Sequence, residues 1–297
     1  MSDTGGATSG QPETEGLDPR YVAARRCLLD ALTALAPHTR AIVVAGAQAV
    51  YLRSGSGDLA IAPYTTDGDL ALDPTLLGDD PELEATMRRA GFELLEPAPD
   101  RVEPGTWVAT AVVDGQQLII PIDLIVPEGM ASGGGRRGAR LGPHGNRAAR
   151  RAVGLEAALV DHSPITIGAL DPADSRTVTV EVASAAALLV AKMHKIHDRL
   201  ASGRPERLDD KDAADVVRIV QTTSPTEVGA TLAQLRVHPV AGPPTHQALS
   251  YLADLFGRRA GQGVVMASRA LRLAMLEEQV VALCTAYTES LLATVRS

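Results

Sequence analysis

The sequence predicts an α+β fold, in which a mixed β-sheet flanked by helices is followed by an α-helical C-terminal domain. Three observations carry that expectation. Between Tyr21 and Ala183, short β-branched and apolar runs alternate with amphipathic helical patterns. Two of the longer apolar runs, 107–113 and 117–126, are separated by little more than Asp114-Gly115, a strong hairpin signal. From Ser184 onward every periodic segment is helical, and no strand pattern returns. The switch predicts a tail over residues 1–19, a first domain over 20–183 and a helical domain over 184–297.

In chain order, residues 1–17 are Gly, Ser, Thr, Pro and acid without periodicity, which suits a disordered tail. Residues 21–36 place Val22, Leu28, Leu29, Leu32 and Leu35 on one helical stripe, ended by Pro37. Ile42-Val43-Val44 suits a buried strand. Gly46-Ala47 breaks it at a tight turn, and residues 48–53 can form a helix. After the polar connection Ser54-Gly55-Ser56-Gly57, the chain returns as an extended run over 65–72. A helix is expected over 81–90, capped by Asp79 or Asp80 and stopped by Gly91. Strands are expected at 92–95, 107–113 and 117–126, with Pro121 marking a sheet edge or bulge. A glycine-rich basic loop over 129–145 leads to a helical stretch holding Arg147, Arg150 and Arg151. Strands at 164–167 and 177–182 precede helices near 184–200, 211–221, 226–235, 245–256 and 264–294.

Composition narrows the function classes. A net charge of −8 excludes a uniformly basic nucleic-acid-binding surface, though not a local patch. Aromatics make up 3% of the chain, so its core must be built from Ala, Val, Leu and Ile. Cys27 and Cys284 stand alone, too few for a zinc set, and they point to a reducing, cytoplasmic compartment. No stretch approaches the roughly 18 uninterrupted apolar residues of a membrane span, so no membrane partner is expected.

The residues that could carry chemistry begin with Asp67 and Asp69. Side chains alternate along a strand, so the two carboxylates share a face, with Cα atoms about 6–7 Å apart at about 3.3 Å per residue. That separation suits shared hard divalent cations, while Leu70 and Leu72 face a core. A strand end with two solvated acids is the bland alternative. Gly46-Ala47 lets backbone N–H groups approach a phosphate at a helix N-terminus, or is an ordinary turn. Asp123 is an acid within an apolar strand, either a third member of a metal cluster or a buried acid satisfied by backbone or arginine. Lys192 sits among apolar helical residues, either snorkelling or aimed at an anion. Asp212 and Asp215 can cap the next helix and reach back to the first. The arginines Arg136, Arg137, Arg140, Arg147, Arg150 and Arg151 form the one dense cationic segment, read either as a solvated face or as a clamp on nucleic-acid or triphosphate phosphates. His194 and His197 lack the spacing of a metal pair and are read as structural.

Taken together, Gly46-Ala47, Thr65-Thr66-Asp67-Gly68-Asp69, Asp123, Lys192 and Lys211-Asp212-Ala213-Ala214-Asp215 resemble the pattern of the DNA polymerase β-like nucleotidyltransferase superfamily, and within it the AbiEii-type nucleotidyltransferase toxins. The resemblance covers Ala41 to about Gln221. Ala47 replaces the usual serine or glycine of the turn. The resemblance implies that Asp67, Asp69 and Asp123 hold two Mg²⁺ ions on an NTP. It implies that Gly46, Ala47, Thr66, Lys192, Lys211, Asp212 and Asp215 contact the nucleotide, and that Asp123 and Lys192 assist transfer of an NMP to a hydroxyl. The acceptor it implies is an RNA, tRNA in particular, and a toxin role would bring a cognate antitoxin as partner. Two alternatives stand beside it: an inert nucleotide-binding or partner-binding module on the same fold, and a transferase acting on a small aminoglycoside-like acceptor.

Overall fold

The computed structural model describes residues 17–55, 64–98, 101–131, 137–204 and 209–297. Most of the tail (residues 1–16), Ser56-Gly57 of the polar connection and Arg136 of the basic segment lie outside them.

Helix α1 (Pro19–Ala34) opens the fold, with Pro19 in its first turn and the Asp18 carboxylate accepting the Arg20 N–H. Strand β1 (Ile42–Ala45) runs directly into α2 (Gly46–Ser54), and β2 (Gly68–Leu72) returns beside β1. Helix α3 (Leu83–Arg89) and strands β3 (Glu93–Leu94), β4 (Thr106–Val113), β5 (Gln116–Pro127), β6 (Arg150–Ala152), β7 (His162–Gly168) and β8 (Thr177–Ala183) complete the sheet region. The helical region comprises α4 (Ala185–Ala201), α5 (Asp210–Thr222), α6 (Pro225–Arg236), α7 (Gly242–Phe256), α8 (Gln262–Leu271) and α9 (Glu277–Arg296). A mixed sheet flanked by helices and followed by helices is the α+β architecture the sequence predicts. No described helix is long and apolar enough to cross a membrane.

Among the described residues the strands form one sheet in the order β3-β4-β5-β2-β1-β8-β7, with β6 added to β5. β2 lies antiparallel to β1 and parallel to β5. The β4–β5 hairpin closes through a two-residue turn in which Asp114 and Gly115 both have positive φ, 50° and 76°. That is the backbone a tight hairpin needs, and Asp-Gly supplies it cheaply. Pro121 sits where β5 is still an edge. Pairing with β2 begins at Ile122, and Leu124 sends its N–H toward Gly105 on the β4 side. By alternation the Pro121 nitrogen faces the side β2 has not yet reached.

One face of the sheet carries Leu70, Leu72, Ile122, Leu124 and Val126, all buried. It packs on α1: a Cβ on Gly68 of that face would meet the side chains of both Ile122 and Leu28. The other face carries Asp69 and Asp123.

Four expectations are corrected. The stretch holding Arg150 and Arg151 is strand β6, not a helix, because its backbone is captured by β5 from Ile125 to Pro127, and Arg147 lies in the turn before it. Helix α3 is capped at Glu82 rather than at Asp79 or Asp80. The long C-terminal helix is two, α8 and α9, separated by Arg272–Leu276. Helix α1 begins at Pro19, within the span 1–19 assigned to the tail.

Candidate functional site

A single row of the sheet sets the geometry. Thr106 on β4 is paired with Asp123 on β5, Asp123 with Asp69 on β2, and Asp69 with Ala45 on β1. Residues directly paired across strands share a face, so the two acids and the threonine point the same way. Gly46 follows Ala45 and opens α2 with φ 66°. A Cβ there would lie 1.9 Å from Asp69 Oδ2. Glycine is required both by this conformation and by the carboxylate lying against it.

This row lines a cleft of about 760 Å³, whose walls include Gly46, Asp69, Thr106, Asp123 and Arg150 together with residues of α4 and α7. The volume falls in the range of about 300–1,000 Å³ common to small-molecule sites.

Asp123 does not stand as a free ligand. Thr106 Oγ1 donates to its Oδ1 at 2.7 Å, and Arg150 Nη2 donates to its Oδ2 at 2.8 Å. Burial works to lower the Arg150 guanidinium, but Asp123, with Asp69 and Glu103 behind it, outweighs burial and holds it above the ordinary arginine range. Arg150 is thus a positive charge bonded to Asp123 and within the field of Asp69. Its position follows from Gly105, whose φ is 74° and whose Cβ would fall 2.2 Å from the Arg150 backbone nitrogen.

Asp67 is two residues before Asp69 but precedes β2 and is exposed. It accepts a hydrogen bond from its neighbour Thr66 at 2.9 Å, and its carbonyl is held by Gln48 Nε2 at 3.2 Å. The expected convergence of Asp67, Asp69 and Asp123 is therefore met by two of the three. Among the described residues no three acids, histidines or cysteines gather closely enough to hold a metal ion. The donor chemistry of the Asp69–Asp123 pair, hard carboxylate oxygens, fits Mg²⁺; one of those oxygens, Asp123 Oδ2, accepts from Arg150.

Lys192 is not aimed at an anion in the cleft. It is buried, and its Nζ donates to Asp212 at 2.8 Å and to Asp215 at 2.6 Å. Asp212 also meets Lys195 at 3.2 Å, and Arg199. Burial pulls the Lys192 ammonium down, but the two aspartates push it above the ordinary lysine range. Burial would raise Asp212, yet Lys192, Lys195 and Arg199 hold it well below the usual carboxylate range. Asp212 and Asp215 do reach back from α5 to α4, while the cap of α5 is Asp209. Lys211 turns to the other side. Its Nζ donates to Thr65 Oγ1 at 3.3 Å, which ties α5 to the segment carrying Thr66 and Asp67.

Among the described residues the arginines of the basic segment largely meet acids rather than forming an open cationic patch. Arg137 pairs with Glu103, Arg147 with Glu84, Arg150 with Asp123 and Arg151 with Glu128, and Arg140 lies exposed. Each pairing lowers the charge available to a phosphate backbone.

Sequence reasoning missed three groups. Thr106 was legible: counting outward from the Asp114-Gly115 turn puts it opposite Asp123. The buried Gln48, held by Arg25 at 2.9 Å and gripping the Asp67 carbonyl, has no sequence signal beyond being polar on an apolar helix. The stacked rings of His197 and Tyr251, 3.7 Å apart on α4 and α7, join residues far apart in the chain.

No protein-family model matches this sequence, and no curated protein matches it.

Proposed function

We propose that this chain is a Mg²⁺-dependent nucleotidyltransferase that moves an NMP from an NTP to a hydroxyl acceptor. The observation that carries the reading is the in-register pairing of Asp69 with Asp123 on one face, beside a glycine turn that opens a helix and lining a cleft of substrate size. Asp69 and Asp123, with Asp67 at the entry to β2, are the residues that would hold Mg²⁺. When bound, that ion supplies charge neutralisation and polarisation of a phosphoryl oxygen. The chain's own residues do the rest. Thr106 keeps Asp123 oriented. Arg150, once it leaves Asp123, has its guanidinium beside the same row and can pair with a phosphate in the two-pronged geometry arginine favours. The N–H groups opening α2 lie beside the same row and favour negative charge.

A second reading is an inert nucleotide-binding module, and the Arg150–Asp123 pair favours it, since a permanent guanidinium would keep Mg²⁺ out. Pairing of the basic segment with acids also lessens the preference for a polyanionic acceptor such as tRNA over a small aminoglycoside-like one. Incubation of the protein with each labelled NTP, Mg²⁺ and either total tRNA or an aminoglycoside separates these readings. Label transfer with pyrophosphate release is expected from the parent, reduced at least about 100-fold in Asp69→Asn and Asp123→Asn, as for loss of a charge-stabilising group at a transition state. Nucleotide binding without any transfer to either acceptor would leave the inert module standing.

A further inference from the structure

The α4 and α7 residues that line the cleft have a different chemistry from the acids on β2 and β5. His197 and Tyr251 stack face to face, with ring centroids 3.7 Å apart and planes at 10°. Both border the cleft and both are only partly exposed. Tyr251 is held on a further side by His194, whose ring stands edge-on at 5.4 Å and 85°. His194 is itself buried and fixed, its Nε2 lying 2.8 Å from the Pro244 carbonyl. A carbonyl can only accept, so this nitrogen carries the proton. The pair is thus a braced aromatic surface rather than two loose side chains.

Gln247 lies one helical turn before Tyr251, at the i, i+4 spacing that puts two side chains on one helix face. It is exposed and lines the same cleft. Its amide offers a donor and an acceptor side by side. Phe, Trp and Tyr together make up 3% of this chain, so a tyrosine stacked on a histidine at its cleft is not explained by composition. A flat ring beside an amide that both donates and accepts matches a nucleobase, which stacks through its face and hydrogen-bonds through its edge.

We propose that His197, Tyr251 and Gln247 form the subsite for the nucleobase of the nucleoside triphosphate, with the phosphates directed toward Asp69 and Asp123. The assignment rests on the reading of the cleft as an NTP site. It also gives these residues separate tasks: the stacked rings supply affinity for any base, and Gln247 selects among bases.

The test is equilibrium binding to the full chain in Mg²⁺, using ATP, GTP, CTP and UTP beside inorganic tripolyphosphate. The parent should bind at least one NTP more tightly than tripolyphosphate. His197→Leu should weaken that NTP about 10-fold, within the range reported for loss of one base–aromatic stack, and leave tripolyphosphate within about twofold. His197→Phe, which keeps a stacking face, should recover most of the loss. Gln247 is exposed, so Gln247→Leu leaves the fold intact and serves even where His197→Leu does not fold; it should flatten the preference among the four bases. A parent that binds NTPs, with His197→Leu binding them as tightly as the parent or Gln247→Leu keeping the parent's preference among the four bases, overturns this subsite and leaves the NTP reading in place. A parent that binds neither NTPs nor tripolyphosphate overturns both.

Discussion

At the scale of single residues, the cleft is governed by a competition for Asp123. One carboxylate oxygen is held by Thr106 and the other by Arg150, both side chains being about a quarter exposed or less where the ion pair is made. A divalent cation binding to Asp69 and Asp123 has to displace the guanidinium, and two like charges cannot share so small a space. Arg150→Gln should therefore raise Mg²⁺ affinity about 10-fold or more. The expected readout is a larger Mg²⁺-dependent rise in melting temperature than in the parent, because a ligand that binds only the native state stabilises it by mass action. Without Mg²⁺ the variant should be slightly less stable, by about 1–2 kcal/mol, since a pair about a quarter exposed is worth less than a fully buried one. A weaker response to Mg²⁺ in Arg150→Gln would mean that the arginine helps the cation bind rather than competing with it.

At the scale of elements, α4 and α5 are joined by buried ionic contacts as well as by apolar ones. Lys192, Asp212 and Asp215 are nearly inaccessible, with side-chain exposures of 4%, 4% and 3%. Removing one partner strands the others, which in buried networks costs about 3–5 kcal/mol, and Lys192→Met should lose stability on that scale in urea unfolding. The pH dependence follows from the two directions of shift. Asp212 is depressed when folded, so its contribution is present above the ordinary aspartate pKa of about 3.9 and is lost as pH falls through the folded value. Lys192 is raised when folded, so its contribution is complete below about 10.4 and is lost as pH rises through its folded value. Asp212→Asn should accordingly show a shallower fall in stability below about pH 4 than the parent does; an unchanged acid limb would place the acid-sensitive group elsewhere. The same elements show what the sequence could and could not convey. The hairpin, the β1–α2 turn and the helical stripes are set by local backbone preference and were legible. Arg150-Arg151-Ala152 favours a helix on propensity alone, and only a long-range partner, β5, makes it a strand. In the sequence Lys192 is either a snorkelling lysine or one aimed at an anion, and Asp212 and Asp215 can reach back toward its helix; that they meet its ammonium depends on how two helices pack, which spacing along the chain does not fix. The Asp69–Asp123 pairing is likewise a parallel, non-local register with no turn to count from.

At the scale of the molecule, the cleft exists because the sheet region and the helical region hold each other. Helix α2 packs on β1 and β2 and also on α4 and α5. The Arg218 guanidinium of α5 lies 5.0 Å over the Tyr51 ring of α2, Lys211 reaches Thr65, and Ser184, the cap of α4, is bonded to Asp161. Helix α4 is at once a wall of the cleft and part of the core, and opening the cleft fully would have to part α4 and α5 from α2 and Lys211 from Thr65. The two regions should then unfold as one cooperative unit, although the composition of secondary structure changes sharply near Ala183. The chain provides its own probes. Trp107, the single tryptophan, is fully buried in β4 with its Nε1–H donating to the Ala148 carbonyl at 2.9 Å, so its fluorescence reports on the sheet region. Helical circular dichroism is dominated by α4–α9. The two thermal transitions should coincide, and saturating NTP with Mg²⁺ should shift both together. Midpoints separated by more than about 5 °C, a gap worth about 1 kcal/mol or more for a chain of this size, would mean that the regions are independently stable, and that the cleft between them opens at little cost to either.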